Sequence, residues 1–325
     1  MRPDTIKALA ADFDGATVLV TGGCGFIGSH LVETLVSIGA HVSVLDNLRD
    51  STPANLASVR DRIQIEIGDV RDLSCVKRVI EHCRPDLVFH LAANASVPRS
   101  VEEPKYDFET NSMGTFNVLN ALQITNLQSK VVLASSGAVY GQPDVFPITE
   151  HTLIAPISPY GASKAGAELT SRMFSQVFGV PVVIARVFNT YGPRMARFVI
   201  LDFLRKLQQN PAVLDVLGDG QQKRDFTFVT DTVQGLLLLA ARGEVAEAYN
   251  VSSGSSISVT EIAHQLIAAL RLTGQTHITY TGTSWPGDAQ RWEVSIGKLM
   301  QLGYAPAVGL DDGLGRTIQW FQTRT

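Results

Sequence analysis

Short apolar segments alternate with helix-like segments between residues 17 and 187. The apolar segments are rich in Val, Ile and Leu, as expected for buried strands, and run over 17–20, 41–45, 62–67, 86–91, 130–134 and 181–187. Between them, apolar positions recur with helical spacing, most clearly over 29–38, 73–83, 106–125 and 159–178. Strands that alternate with helices form βαβ crossovers, so the pattern predicts a parallel sheet with helices on both faces. Ligands of such sheets bind at the carboxyl ends of the strands.

A glycine-rich turn joins the first predicted strand to the first predicted helix. Its glycines are Gly22, Gly25 and Gly28. Backbone N–H groups at a helix start attract an anion, and a side chain at a glycine position would block the anion's approach. The turn therefore predicts a nucleotide phosphate at this end of the sheet, with a purely structural turn as the alternative.

Two carboxylates follow the next two predicted strands. Asp46 ends the second strand, 18 residues after Gly28. A carboxylate there can accept hydrogen bonds from ribose hydroxyls and would repel a 2′-phosphate, which favours NAD over NADP. Asp69 and Val70 follow the third strand and are expected near the adenine.

A tyrosine and a lysine lie one helical turn apart further along the chain. Ser158 suits a helix cap and Pro159 the first helical position, so Tyr160 and Lys164 share one face of the helix. The pKa of a free tyrosine is about 10, so Tyr160 needs a lowered pKa to act as a base at neutral pH. The lysine ammonium and the positive ring of a nicotinamide both act in that direction. The loop 135–141 adds a serine hydroxyl that could bond both a substrate and Tyr160.

Composition and charge narrow the class of protein. Of the 325 residues 45% are hydrophobic and 18% charged, and the net charge of −4 without a basic run argues against a nucleic-acid partner. No run reaches the roughly 18 apolar residues that a membrane helix needs. The cysteines, Cys24, Cys75 and Cys83, form no Cys-x-x-Cys pair, which is typical of reduced thiols in a cytoplasmic protein. The histidines show no metal-ligand spacing, so no metal is expected.

Together these motifs resemble the extended short-chain dehydrogenase/reductases that act on nucleotide-sugars. The resemblance covers nearly the whole chain and rests on segments 21–28, 45–47, 68–69, 90–93, 111–115, 135–141, 158–164, 186–193, 224–226 and 286–288. It implies an α/β fold in which a Rossmann doubly wound parallel sheet over 15–188 holds NAD. A smaller α/β part over 189–325 is expected to grip the nucleotide-sugar, with some later segments returning to the Rossmann domain. Members of the family usually form homodimers through two long helices, here expected near 106–125 and 159–178.

The resemblance also implies roles for individual residues. Tyr160 is the expected general base, Lys164 the residue that binds the nicotinamide ribose and tunes Tyr160, and Ser136 the catalytic hydroxyl. The residues expected to bind NAD are Gly22, Gly25, Phe26, Ile27, Gly28, Asp46, Asn47, Asp69, Val70, Leu91, Ala92, Ala93, Asn111, Tyr160 and Lys164. Those expected to bind the substrate are Ser96, Arg99, Ser136, Asn189, Arg224, Arg291 and Trp292, with Arg224 and Arg291 clamping the diphosphate.

Departures from the family pattern narrow the reaction. Dehydratases of the family place acidic residues after the catalytic hydroxyl, and decarboxylases of nucleotide-linked uronic acids place a Glu there. This chain has Gly137 and Ala138, which cannot transfer a proton. The departure disfavours both reactions, although the segment 188–195 resembles decarboxylases.

Two further cues concern the sugar, and they conflict. The segment 96–100 resembles epimerases of N-acetylated UDP-hexosamines, whereas Trp292 stands at a gate that is bulky in epimerases that exclude N-acetyl sugars. The steric cue favours UDP-glucose, UDP-galactose or a related unsubstituted sugar. Trp285 stands where many relatives have an Arg, so diphosphate binding is expected to rest more on Arg224 and Arg291.

The sequence therefore predicts an NAD-dependent nucleotide-sugar epimerase. We expect it to act at C4 of a UDP-hexose or UDP-hexuronate through a transient 4-keto intermediate. The alternatives are a 4,6-dehydratase, a decarboxylase or a 4-keto reductase on the same scaffold. A non-catalytic dinucleotide-binding module is disfavoured because Tyr160 and Lys164 are both present.

Overall fold

The structure, a computed structural model, describes residues 9–283 and 289–323. Its strands are β1 (Thr17–Thr21), β2 (His41–Asp46), β3 (Ile63–Ile67), β4 (Leu87–His90), β5 (Lys130–Ser136), β6 (Val182–Val187), β7 (Asn189–Tyr191), β8 (Val213–Val216), β9 (Lys223–Phe228), β10 (Ala248–Val251), β11 (Ser256–Ser258) and β12 (His277–Tyr280).

The α-helices are α1 (Phe26–Ser37), α2 (Leu73–Cys83), α3 (Val97–Glu102), α4 (Pro104–Phe108), α5 (Gly114–Ile124), α6 (Pro159–Phe178), α7 (Val199–Gln209), α8 (Val229–Arg242), α9 (Val259–Ala269), α10 (Gly297–Met300) and α11 (Leu310–Gln322). Residues 9–13 are also helical. Two 3-10 segments, Pro53–Arg62 and Gly137–Tyr140, and one π-helical turn, Glu109–Met113, complete the elements. No helix within the described ranges is long and apolar enough to cross a membrane.

Seven parallel strands form the main sheet in the order β10-β6-β5-β4-β1-β2-β3. This is the doubly wound order 3-2-1-4-5-6 with β10 added beside β6. The predicted α/β Rossmann fold is confirmed.

The sheet separates two apolar cores because successive side chains of a strand point to opposite faces. Val18 and Val20 of β1 pack with helices α1 and α8 on one face. Leu19, between them, packs with α2, α5 and α6 on the other. All three side chains are fully buried. The Val- and Leu-rich strand pattern in the sequence thus reflects burial on both faces.

The helix predicted over 106–125 is present, but it contains a π-helical turn that the sequence did not predict. The chain forms α4, then a π-helical turn, then α5. The extra residue of a π turn is invisible to an apolar repeat, which continues through it. Within the turn, the Asn111 amide donates to the Ser163 hydroxyl at 2.9 Å and accepts from the Asn94 backbone N–H at 2.9 Å. The turn therefore ties this helical segment to α6 and to the loop after β4.

A buried histidine joins β1 to β4. His90 accepts the Thr21 hydroxyl at Nδ1 (2.7 Å) and donates from Nε2 to the Thr115 hydroxyl (3.1 Å). The direction follows because Thr115 donates its own proton to the Asn111 carbonyl, at 2.6 Å, and can only accept from the ring. Burial lowers the pKa of His90 to about 3, with Lys164 acting in the same direction. His90 is therefore a neutral structural link.

The carboxyl-terminal half of the chain builds a second, smaller assembly. Strands β11, β9 and β7 form one sheet and β12 pairs with β8. Their core is shared with helices α7, α9 and α11. In between, the chain returns to the main sheet, since α8 packs on its face and β10 pairs with β6. A division into 15–188 and 189–325 stays a prediction.

Candidate active site

A cavity of about 1200 Å3 lies at the carboxyl ends of the main-sheet strands. One side, the sheet wall, consists of residues from 22–28, 45–55, 91–98 and 134–138 together with Val70, Tyr160 and Lys164. The other, the carboxyl-terminal wall, consists of residues from 187–206 and 222–226 together with Trp292. A pocket for one small ligand typically has about 300–1,000 Å3. The cavity therefore has room for two nucleotide-sized ligands.

The three glycines of the turn after β1 have different surroundings. Gly22 has φ +71°, and a Cβ there would lie 2.8 Å from the Ala92 backbone nitrogen. A Cβ on Gly28 would overlap the Gly22 carbonyl oxygen. A Cβ on Gly25 would meet only that same oxygen, at 3.2 Å, and the rest of its surroundings is open. Gly22 and Gly28 thus allow close packing, whereas Gly25 leaves free space at the N-terminus of α1, as a phosphate requires.

Asp46 at the end of β2 is buried against the glycine turn. Its Oδ2 accepts from the Cys24 backbone N–H at 2.9 Å. Its Oδ1 accepts from the Leu48 N–H at 2.9 Å and from the Ser51 hydroxyl at 2.6 Å. A carboxylate has about four acceptor positions, so capacity for a ribose hydroxyl remains. The residues of this wall fit the adenosine and phosphate portions of NAD.

Most of the other residues predicted to bind NAD line the same wall, but two do not. Those on the wall are Phe26, Ile27, Asn47, Val70, Leu91, Ala92 and Ala93. Asp69 is outside the cavity lining, where it accepts from Arg71 at 2.9 Å and from Asn47 at 3.0 Å. Asn111 lies behind the wall in the π-helical turn. Both positions indicate support of neighbouring segments, and direct NAD contacts of Asp69 and Asn111 stay predictions.

The start of α6 places Tyr160 and Lys164 beside the cavity. The Ser158 hydroxyl caps the helix by accepting a first-turn backbone N–H at 3.1 Å, and Pro159 occupies the first helical position. Lys164 donates to the Ala134 carbonyl at 2.8 Å. Burial lowers the pKa of Lys164 to about 8, so its ammonium remains mostly protonated at neutral pH.

The electrostatics of Tyr160 differ from the expectation. Burial raises the pKa of Tyr160, and the Asp107 carboxylate acts in the same direction. The Ser136 hydroxyl and the Arg197 guanidinium act to lower it. The lowering expected from Lys164 is not found: Lys164 donates to the β5 carbonyl, and Arg197 is the cation that lowers the pKa of the phenol.

Ser136 is the last residue of β5, which is two residues longer than predicted. Ser135 and Ser136 continue the pairing with β6, opposite Arg186 and Val187, so Ser136 is held by the sheet instead of a loop. Its hydroxyl lines the cavity and accepts from a backbone N–H two residues on, at 3.2 Å.

The two positions after Ser136 carry no acid, and the first of them has no room for a side chain. A Cβ on Gly137 would lie 2.6 Å from Cδ1 of the Phe188 ring. Ala138 lines the cavity with a methyl group. The carboxylates among the described cavity-lining residues are Asp46, Asp50 and Asp202, and the last is ion-paired with Lys206 at 2.7 Å.

A buried ion pair behind Ser136 was not identified from the sequence. Glu168 and Arg186 are 2.7 Å apart and almost fully buried. Glu168 also accepts from the Ser135 hydroxyl at 2.6 Å, and Arg186 donates to the Tyr140 hydroxyl at 2.8 Å. The available signal was the position of Glu168 one turn after Lys164, on the same face of α6. The pair holds the end of β5 against α6.

The residues predicted to bind substrate are only partly brought together. Asn189, Arg224 and Trp292 line the carboxyl-terminal wall, and the Arg224 guanidinium lies 5.2 Å from the centre of the Trp292 ring. Trp292 packs edge-on against Phe188, and its indole nitrogen is buried with no hydrogen-bond partner among the described residues. Arg291 lies outside the cavity lining, 2.7 Å from Glu293. Its role as a diphosphate ligand stays a prediction.

The first residues of the segment 96–100 belong to the sheet wall. Ser96 lines the cavity and caps α3 by accepting from the Arg99 N–H at 3.4 Å. The Arg99 side chain is outside the lining and is paired with Asp50 at 2.7 Å. Trp285 and the segment 286–288, which entered the sequence prediction, lie outside the described residues.

Comparison with known proteins identifies the family. The family model described as GDP-mannose 4,6 dehydratase matches residues 19–317 of the chain. The chain belongs to the extended short-chain dehydrogenase/reductases. This family includes nucleotide-sugar epimerases and dehydratases, as the motifs at Gly22–Gly28 and Tyr160–Lys164 predicted.

Both kinds of enzyme occur among the family members similar to this chain. A putative UDP-glucose 4-epimerase of Methanocaldococcus jannaschii is 32% identical, over 94% of this chain and 98% of the relative. A dTDP-glucose 4,6-dehydratase of Xanthomonas campestris is 35% identical, over 95% and 93%. Overall similarity therefore identifies an enzyme of this family without separating the two reactions.

Solved structures of family members have the same fold. An epimerase of Methanothermobacter thermautotrophicus superimposes with a TM-score of 0.91 at 35% identity, over 99% of this chain and 97% of that one. A UDP-glucose 4-epimerase of Thermus thermophilus, solved in complex with NAD, superimposes with a TM-score of 0.86 at 34% identity, over 95% and 99%.

Proposed function

We propose that this family member is an NAD-dependent epimerase that inverts C4 of a nucleotide-linked hexose or hexuronate, with UDP as the nucleotide. The observation that carries the proposal is the combination of Ser136, Tyr160 and Lys164 at one cavity with Gly137 and Ala138 beside them. The first three suit reversible oxidation of a sugar hydroxyl. The last two supply no acid for elimination of water.

Different residues of the sheet wall bind different parts of NAD. Gly25 and the N-terminus of α1 accommodate the NAD phosphates, and Asp46 accepts from the adenosine ribose. NAD bound at this wall would supply reversible hydride transfer at C4 of the sugar. Lys164 binds the nicotinamide ribose from α6. Asp69 lies towards the adenine, and Asn111 and the alanines after β4 complete the NAD site.

Tyr160 moves the proton of the C4 hydroxyl. Its phenol must lose a proton to act as a base, and burial opposes this, so the nearby Ser136 hydroxyl and Arg197 guanidinium are needed to favour the phenolate. The Ser136 oxygen has a second acceptor position, which can accept from the substrate hydroxyl. Both side chains sit on elements of the sheet wall, which keeps them in place through both half-reactions.

The carboxyl-terminal wall binds the nucleotide-sugar. Arg224 offers a guanidinium fork to the diphosphate, with Arg291 beside it, and Asn189 donates to the sugar. Trp292 limits the space beside the sugar, which favours unsubstituted hexoses over N-acetyl hexosamines.

We further propose a cytoplasmic homodimer. Leu169 and Val177 of α6 are 67% and 66% exposed, and Phe108, Met113 and Met173 add further exposed apolar surface along the same helical pair. A second copy of the chain would cover this face. The cysteines within the described residues are unpaired, in keeping with a reducing compartment.

The reaction is tested by product analysis. The protein, supplied with NAD, is incubated separately with UDP-glucose, UDP-galactose, UDP-glucuronate and the N-acetyl hexosamine counterparts, and products are analysed by mass spectrometry and NMR. The proposal expects a product of unchanged mass with inverted C4. A product that has lost water or CO2, without any epimer, contradicts it. A requirement for stoichiometric NAD(P)H would instead indicate a 4-keto reductase.

A further inference from the structure

The segment that joins β7 to α7 has an unusual backbone at the cavity. Residues 194–199 all line it. Phe198, which immediately precedes α7, has φ +83° and ψ 166°, a region that is almost restricted to glycine. A bulky residue there costs roughly 1–3 kcal/mol. Such strain is typical of segments whose shape serves a ligand, and the side chain it presents beside Phe198 is Arg197.

Arg197 differs from the other arginines around the cavity. Arg49 is paired with Glu103, Arg99 with Asp50 and Arg194 with Glu33. Arg197 is partly buried and makes neither a hydrogen bond nor an ion pair with any residue in the described ranges. Burial lowers the pKa of Arg197, as expected for a cation withdrawn from water, and the Asp50 carboxylate opposes this only in part because it is itself paired with Arg99. A desolvated charge of this kind is normally compensated by an anion.

The position of Arg197 indicates which anionic group of a ligand could pair with its guanidinium. Arg197 and Tyr160 line the same cavity. The guanidinium also interacts electrostatically with the Asp50 carboxylate and with the Tyr160 phenol, which places it at the end of the cavity where these residues lie. The NAD phosphates belong at the glycine turn, and the sugar diphosphate belongs near Arg224. Under the proposed reaction, Tyr160 contacts O4 of the sugar, and the neighbouring substituents are those of C3 and C5. In a hexuronate, the substituent at C5 is a carboxylate.

We propose that Arg197 is a specificity-determining residue that binds the carboxylate of a nucleotide-linked hexuronate. This inference rests on the proposed function and narrows its substrate to the acidic sugars. A planar guanidinium can donate two parallel hydrogen bonds to a carboxylate, which a neutral hydroxymethyl group cannot accept in the same way. UDP-glucuronate or its C4 epimer is the substrate of this chemistry.

The first test measures binding without turnover. Calorimetry compares UDP-glucuronate with UDP-glucose on NAD-loaded Tyr160→Phe and on Tyr160→Phe/Arg197→Gln. The parent is expected to bind UDP-glucuronate roughly 30-fold or more tightly than UDP-glucose, and Arg197→Gln to abolish this preference. Affinity for UDP-glucose is expected to stay within about threefold. Equal affinities in the parent, or equal losses for both ligands in the variant, would overturn the proposal.

Two control variants keep the result interpretable. Arg205→Gln removes a positive charge from the exposed rim of the same cavity and should leave the preference intact. Arg197→Lys keeps the positive charge but lacks the planar guanidinium, so it should retain part of the preference for UDP-glucuronate. Bound NAD content and circular dichroism establish that each variant is folded. If Arg205→Gln removes as much preference as Arg197→Gln, the carboxylate responds to general charge and the proposal fails.

A kinetic test then separates carboxylate binding from an effect on Tyr160. Arg197→Gln in the otherwise unchanged enzyme should lower kcat/KM for UDP-glucuronate roughly 30-fold or more relative to UDP-glucose. An equal fall in kcat for both sugars would mean that Arg197 serves only the phenol, and would overturn the proposal. Products that have lost water or CO2 would contradict the epimerase reaction. The binding preference measured without turnover would still decide the role of Arg197.

Discussion

The two walls of the cavity are built in different ways. On the sheet wall, Asp46 already accepts three hydrogen bonds, Lys164 is anchored to Ala134, and Gly22 allows backbone segments to touch. On the carboxyl-terminal wall, Arg197 and the Trp292 indole nitrogen have no hydrogen-bond partners within the described ranges. The sheet wall is preorganised by the fold, whereas the opposite wall presents groups that a ligand must satisfy.

The difference follows from how each wall is connected. Residues of the sheet wall come directly after parallel strands whose register is set by buried side chains on both faces. Those of the other wall belong to the link between β7 and α7 and to the region around β9. A cofactor that is common to many relatives suits the rigid wall, and substrate specificity suits the more adjustable one.

The largest expected effect separates chemistry from binding at the junction of the walls. Tyr160→Phe removes the proton-transferring hydroxyl but keeps the ring, so kcat should fall about 10²–10⁴-fold while NAD remains bound. Steady-state kinetics and the nucleotide content of the purified protein measure the two properties. Tyr280→Phe changes an exposed tyrosine and serves as the control. Unchanged activity of Tyr160→Phe would remove Tyr160 from the base role.

A pair of glycine substitutions tests how rigid the sheet wall is. Gly22→Ala should lower the free energy of unfolding by several kcal/mol, because positive φ costs about 1–3 kcal/mol and overpacking against Ala92 about as much again. Gly25 has φ −76°, which alanine adopts, so Gly25→Ala should change stability by less than about 1 kcal/mol.

The same pair separates fold from cofactor binding. Gly25→Ala should reduce the amount of bound NAD, because its methyl group enters the space of the phosphates. Urea unfolding and NAD titration measure the two effects. Retention of NAD by a folded Gly25→Ala protein would contradict the assignment of that space.

On the carboxyl-terminal wall, Trp292 is expected to control access of N-acetyl sugars. Trp292→Ser should raise the ratio of kcat/KM for N-acetylated over unsubstituted substrates by about 10- to 100-fold, because the indole no longer fills the space beside the sugar. Trp292→Phe retains an aromatic ring and is the matched control. Competition assays with both sugars measure the ratio directly. If Ser and Phe give the same ratio, the gate lies elsewhere.

The smallest effect is a pH dependence of the free energy of unfolding, which arises from His90 behind the sheet wall. The pKa of His90 is about 3 in the folded protein, below the unperturbed value of about 6.5. The unfolded chain therefore binds the proton first, and stability falls as pH decreases from about 6.5 towards 3, by up to about 1.4 kcal/mol per pH unit. His90→Gln should remove this slope in urea unfolding between pH 5 and 7, whereas His277→Gln, at an exposed site, should keep it.

The sequence predicted features that depend on neighbouring residues and missed features that depend on distant segments. The strand–turn–helix at Gly22–Gly28, the acid at Asp46 and the cap that aligns Tyr160 with Lys164 are local patterns, and each lies where local geometry predicts. The π-helical turn at Glu109–Met113 was missed because an apolar repeat continues through one inserted residue. Glu168 was missed because its partner, Arg186, lies on a strand that only the sheet brings next to α6.

The sequence alone thus determined the Rossmann sheet, the family and the chemical groups around Tyr160, because strand and helix patterns and short motifs are encoded in neighbouring residues. Tertiary structure decided which of those groups reach the cavity. It placed Arg99 and Arg291 in ion pairs outside the lining and left Arg197, on the cavity lining, without an ion pair within the described part of the chain. Pairing between charges depends on side chains from distant segments, and no local pattern specifies which arginine will find a carboxylate of the protein and which is left for a ligand.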